Sequence, residues 1–150
     1  MRRLTVAFLV GWACVLLQGT PTAQTKGQFR ARLSPVPIDV AMQSTIAGAG
    51  SVTATLAGTK LTVTGTFSGL KTPATVARIH VAPRGLRGAP ILDLTVTPGT
   101  PATTGTLSGM FELTPQQLDD LTHSSFYIQV HSEKAPDGNL WGWLLQETKK

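Results

Sequence analysis

Residues 51–69 read "SVTATLAGTKLTVTGTFSG", and their alternation decides the fold. Val52, Ala54 and Leu56 fall on one side of the chain, with Thr53 and Thr55 on the other; Leu61, Val63 and Phe67 then oppose Thr62, Thr64 and Thr66. A period of two is that of a strand, and one apolar face with one polar face marks antiparallel strands packed on one side only. Between the two runs, "AGTK" offers Gly58, which adopts positive φ without steric cost and so suits a tight hairpin turn.

The same pattern extends in both directions. Upstream, "QFRARLS" sets Phe29, Ala31 and Leu33 against Arg30 and Arg32. Downstream, "VARIHVA" sets Ala77, Ile79 and Val81 against Arg78 and His80, and "ILDLTV" sets Leu92, Leu94 and Val96 against Asp93 and Thr95. "TGTLSGMF" adds Leu107 and Phe111. A single helix is expected at "LTPQQLDDL": Thr114 caps it, Pro115 takes the first helical position, Gln117 closes a capping box, and Leu113 with Leu118 forms a staple. Two turns are unstable alone, so Leu118 and Leu121 must dock on the sheet edge or barrel mouth. "SFYIQVH" and "NLWGWLL" form a terminal hairpin around "SEKAPDG", a seven-residue loop with Pro136, Asp137 and Gly138 as turn residues. Pairing Val130 with Leu140 places Phe126, Ile128, Val130, Leu140 and Leu144 on the core face and Tyr127, Gln129, His131, Trp141 and Trp143 on the other. The expected fold is all-β, an antiparallel Greek-key sandwich or flattened barrel of about eight strands with one short helix.

The N-terminus begins Met1-Arg2-Arg3 and continues as an apolar run from Leu4 to Leu17, too short to span a bilayer comfortably and suited to a secretory signal. Cleavage is expected after Ala23, giving residues 1–23 as signal peptide and 24–150 as one domain that is secreted or periplasmic, with no transmembrane segment. Lipidation at Cys14 is a second export reading, disfavoured by the residues before it. The exported part then holds no cysteine, and its formal charge falls from +5 to +3 once Arg2 and Arg3 are removed. Its basic residues are scattered and not interleaved with aromatics, so nucleic acid is not an expected partner.

Chemistry is sparse. No nucleophile sits beside a base at recognisable spacing, no glycine-rich phosphate loop opens a helix, and Asp119 and Asp120 read as a solvated helix face. The chain is accordingly expected to be no enzyme and to carry no cofactor or metal. Only His80, His123 and His131 supply imidazoles. His80 and His131 both fall on outer strand faces, and a metal site would need a third donor, Asp93 or His123. If those two rings shared an ion they should lie within about 5 Å, since each nitrogen is about 2 Å from the metal. A weak metal-binding or redox protein centred on His80 and His131 is therefore the alternative to a binding module. Trp141 and Trp143 stand out as large rings on a nominally wet face. Cover from within the chain, by the N-terminal strand or "EKAPDG" at 133–138, is one explanation. The other is a contact surface made of Tyr127, Gln129, His131, Trp141 and Trp143, meeting a protein, a glycan or a membrane.

Four segments, "FRARLSPVP", "ARIHVAPRGLRGAPILDL", "LTPQQLDDL" and "FYIQVHSEKAPDGNLWGWL", resemble the CHRD domain named for the modules of chordin, over about residues 28 to 145. The resemblance implies a β-sandwich in an exported protein and a non-catalytic binding or envelope-associated role. Many such domains carry histidine where this chain has Arg78, and arginine where it has Trp141. A fainter similarity, to copper-zinc superoxide dismutases, rests on His80 and His131 and implies shared architecture without shared catalysis.

Overall fold

The computed structural model describes residues 26–147; the expected signal peptide and Cys14 lie outside them. Nine strands and one α-helix follow in the order β1 (Lys26–Pro35), a 3-10 turn (Ala41–Ser44), β2 (Ala49–Ala57), β3 (Lys60–Ser68), β4 (Ala74–Val81), β5 (Pro90–Pro98), β6 (Gly105–Glu112), α1 (Pro115–Thr122), β7 (Phe126–Ser132), β8 (Ala135–Trp143) and β9 (Leu145–Gln146). Every pairing is antiparallel.

The spatial order β2-β3-β6-β5-β4-β7-β8-β1 closes on itself through β1 and β2, giving an eight-stranded barrel, with β9 added against β1. Strands β3 to β6 lie in the order β3-β6-β5-β4, a Greek key. Two strands turn the corners of this flattened barrel. β1 pairs with β2 through Leu33 and passes to β8 at Ser34 and Pro35. β5 pairs with β4 through Leu94 and passes to β6 from Thr95. Closure leaves few unpaired edges, which an antiparallel fold of this size otherwise exposes to aggregation.

The alternation quoted above fills the barrel as expected. Phe29, Ala31, Leu33, Val52, Ala54, Leu56, Leu61, Val63 and Phe67 meet Ala77, Ile79, Leu107, Phe126, Ile128, Val130, Leu140 and Leu144 in one buried cluster. The 58–59 turn joins Ala57 to Lys60, with Gly58 at φ +66°. Helix α1 starts at Pro115 with both bonds of the capping box in place, Gln117 N–H to the Thr114 hydroxyl and Thr114 N–H to the Gln117 side chain. It docks by burying Leu121 in the core, with Leu118 packed beside it.

The terminal hairpin keeps the expected register, with Val130 opposite Leu140, Gln129 opposite Trp141 and Tyr127 opposite Trp143. Its end differs. The expected seven-residue loop is a two-residue turn at Glu133 and Lys134, because Ser132 pairs with Ala135 and strand β8 begins there. Residues 136–139 consequently face only His131 across the ladder, an enlarged bulge of four residues against one. Pro136 cannot donate to a ladder, so a bulge is where a strand accommodates it.

Candidate functional site

The outer faces of β4, β7 and β8 carry the polar and aromatic residues singled out in the sequence, and most of them are not at the surface. All seven residues of β7 are buried, so both of its faces are closed to water. Tyr127 is 0% exposed, Gln129 3%, His131 8% and His80 7%. Trp141 and Trp143 are partly buried. The expected strip of five is thus split, with three members beneath a cover and the two tryptophans reaching its edge.

Two segments supply the cover. One is the connection from β4 to β5, residues 82–89, which lies over Tyr127 and His80. Tyr127 Oη accepts a hydrogen bond from Gly88 N–H at 3.0 Å and lies 3.4 Å from the Gly88 carbonyl, while His80 Nδ1 lies 2.9 Å from that same carbonyl. Trp143 Nε1 donates to the Ala82 carbonyl at 3.2 Å. Gly88 is required there, since a β-carbon on it would strike the Val81 carbonyl. The other cover is the β8 bulge. Gln129 Nε2 donates to the Asp137 carbonyl at 2.8 Å and His131 Nδ1 lies 2.7 Å from the Pro136 carbonyl. Arg87 ties the two covers together by donating to the Asp137 carbonyl at 2.8 Å. Cover by the 133–138 segment was one reading of the sequence; cover by 82–89 was not foreseen.

The rings beneath form one stack. His80 and Tyr127 lie with centres 4.9 Å apart, Tyr127 and Trp143 also 4.9 Å, and Trp143 meets Trp141 edge-on at 4.8 Å. Trp141 packs further against Val36, Ile46 and Ala135, a small second core beside the first. Between the two tryptophans, Gly142 admits β1 so closely that a β-carbon would strike the Arg32 carbonyl. The exposed side of the pair borders a shallow groove shared with Arg32, Ser34, Arg84 and Leu145.

The histidines are held in one chemical form. Carbonyl oxygens only accept, so Nδ1 of His80 and of His131 must carry the proton and donate it. Desolvation lowers the pKa of each ring, opposed by that carbonyl bond. Arg78 and Arg87 lower His80 further; His80 and Arg78 lower His131, with Asp137 opposing. Both rings are therefore neutral at pH 7, each with a bare Nε2. Both Nε2 atoms are buried and have no hydrogen-bond partner among the described residues. The ring centres are 6.4 Å apart with the planes 30° from parallel, a stacked arrangement and a longer separation than the about 5 Å expected of rings that share an ion.

Neither expected third donor joins them. Asp93 is exposed and paired with Arg78 at 2.9 Å, and His123 caps α1 at the Asp119 carbonyl, 2.8 Å away. Among the described residues, no group of three or more histidine, cysteine or carboxylate side chains is placed to hold an ion. No described helix is long and apolar enough to cross a membrane.

The family model for the CHRD domain matches residues 29–144, from the fourth residue of β1 to the residue after β8. The chain belongs to the CHRD domain family. No curated protein and no solved structure matches it. In this CHRD domain the matched segment contains both covers and all five strip residues, so the buried outer layer lies wholly within the family module.

Proposed function

We propose that this CHRD-domain protein is exported through a cleaved N-terminal signal and acts as a non-catalytic binding module for an acidic glycan. The observation that carries the reading is the Trp141–Trp143 pair. Two indole rings stay partly open at the edge of an otherwise covered layer, beside Arg32 and Arg84. Flat aromatic faces stack on sugar rings with little loss of side-chain freedom, and guanidinium groups recognise carboxylate or sulfate in a bidentate manner. Tyr127, Gln129 and His131 serve the same contact from below, by fixing the tryptophans and the backbone that carries them.

Two measurements test it. Mass spectrometry of the cell-free product should find a chain starting near Gln24, and one starting at Met1 would overturn export with cleavage. Calorimetric titration with a sulfated or uronate oligosaccharide should show binding that weakens with salt and drops at least tenfold in Trp143→Ala and in Arg84→Ala. Equal binding of the uncharged oligosaccharide, or no binding of either, would overturn the glycan reading.

A further inference from the structure

The two covers bring opposite charges to the histidines beneath them. The 82–89 connection carries Arg87, which works against a proton on His80, whereas the β8 bulge carries Asp137, which favours one on His131. On β4, Arg78 disfavours a charge on either ring, and its own partner is Asp93 of β5. From β7, Tyr127 stacks on His80.

Neutral rings fit this layer. Each Nδ1–H has its carbonyl, and each bare Nε2 requires no acceptor. A protonated ring presents a second N–H at Nε2, buried where the described residues offer no partner. A charged donor buried without a partner is far costlier than a neutral one, and the two rings, 6.4 Å apart, would also repel one another. Access to water relieves both costs. The bulge stays, drawn by Asp137 and by a strengthened bond from His131 to the Pro136 carbonyl. The 82–89 connection, bearing Arg87, is the part that gives way.

That connection also walls the groove. Its middle is a tight turn, with Leu86 N–H on the Pro83 carbonyl at 3.1 Å and Gly85 at φ +83°, so residues 83–86 move together. The turn carries Arg84, one of the two guanidinium groups at the groove. Directly after it, Arg87 and Gly88 rest on Asp137, Tyr127 and His80. The base is pinned separately, Val81 N–H on the Ala89 carbonyl and Ala82 N–H on the Ser125 carbonyl, which leaves the tip to swing as a flap.

Resting on the glycan reading of the groove, we propose that acid opens this flap: protons taken up by His80 and His131 lift its tip, withdraw Arg84 and release the acidic ligand bound at neutral pH. The closed form refuses protons that the open form accepts near the ordinary histidine value of about 6.5, so the flap lifts below that pH.

The test has two arms, and the first needs no ligand. In the full chain, protection of the Gly88 amide against hydrogen exchange, corrected for intrinsic rate, should fall roughly threefold or more from pH 7.5 to pH 5, while Ala54 and Val63 keep theirs. In the second arm, calorimetric titration with a sulfated oligosaccharide, whose charge is constant over this range, should show affinity falling by a similar factor. The double variant His80→Asn, His131→Asn keeps a side-chain N–H for each carbonyl without titrating and should abolish both responses; His123→Ala should leave both as in the parent. Gly88 protection unchanged at pH 5, or lost together with that of Ala54 and Val63, would overturn the flap. So would responses that survive in the double variant, or a flap that opens without loss of affinity. If the oligosaccharide binds at no pH, the glycan reading fails by itself, and the exchange arm still decides whether acid opens the flap.

Discussion

Strand β7 buries both of its faces, and it does so by opposite means. Its inner side, Phe126, Ile128 and Val130, meets only apolar neighbours in the barrel core. Its outer side, Tyr127, Gln129 and His131, meets backbone carbonyl and N–H groups lent by residues 82–89 and by the β8 bulge. On the inner face, stability grows with apolar area removed from water and is indifferent to direction. On the outer face each ring or amide has a polar tip that must find one particular backbone atom, because a buried polar group left unpaired costs more than its bond returns. The inner face tolerates repacking; the outer one depends on two loops staying in place.

The sharpest way to break the contrast is to delete volume on the inner side. Phe126→Ala removes a fully buried ring and should cost about 3–5 kcal/mol, read as a lowered urea midpoint with unchanged slope. A loss below about 1 kcal/mol would mean that the barrel interior collapses readily and that the two faces differ less than argued. The matching change outside is Gly88→Ala, which adds one methyl against the Val81 carbonyl and displaces the cover from Tyr127 and His80. It should cost about 2 kcal/mol, the usual range for an overpacked site, and should raise hydrogen exchange at residues 82–89 while leaving β2 and β3 protected.

How much of this was legible in the sequence follows from the same contrast. Inner residues announce themselves by side-chain type, so "SVTATLAGTKLTVTGTFSG" and the Val130–Leu140 register gave the barrel wall and the final hairpin directly. The outer cover is made of main-chain atoms of Gly88, Pro136 and Asp137, and carbonyls leave no trace in residue identity. Their positions depend on a bulge of 136–139 against His131, whereas the sequence of "SEKAPDG" suggested an ordinary loop. One signal was present. Tyr127, Gln129 and His131 each carry polar atoms at the end of a partly apolar side chain, and three such residues in succession on one face suit a covered layer better than a wet one. Trp141 is covered in part as expected, by Ala135 of the 133–138 segment and beside the end of β1 at Ser34; the contribution of Ile46 had no signal, since residues 36–46 show no periodicity.

A smaller perturbation separates ring packing from the polar tip. Tyr127→Phe keeps the stacking on His80 and Trp143 but leaves Gly88 N–H without its acceptor. The expected loss is about 1 kcal/mol, measured by thermal or urea unfolding. If the variant is as stable as the parent, shape alone holds the outer layer, and the contrast with the inner face disappears.

The smallest effect expected is a pH dependence, because only His80 and His131 are involved and in both the carbonyl bond partly offsets desolvation. Its sign is fixed. Each ring's folded pKa lies below the ordinary 6.5, so between that value and the lowered one the unfolded chain binds protons that the folded chain refuses. Stability from these rings is complete above about pH 6.5 and declines as pH falls through the window beneath it. Urea unfolding from pH 7.5 downward should follow that decline, and the double variant His80→Asn, His131→Asn should flatten it, since asparagine donates to the same carbonyls without titrating. The inner-face variant Phe126→Ala should keep the slope of the parent, merely displaced downward. A slope that survives in the double asparagine variant would assign the pH response to carboxylates elsewhere and would separate the histidines from the energetics of the outer layer.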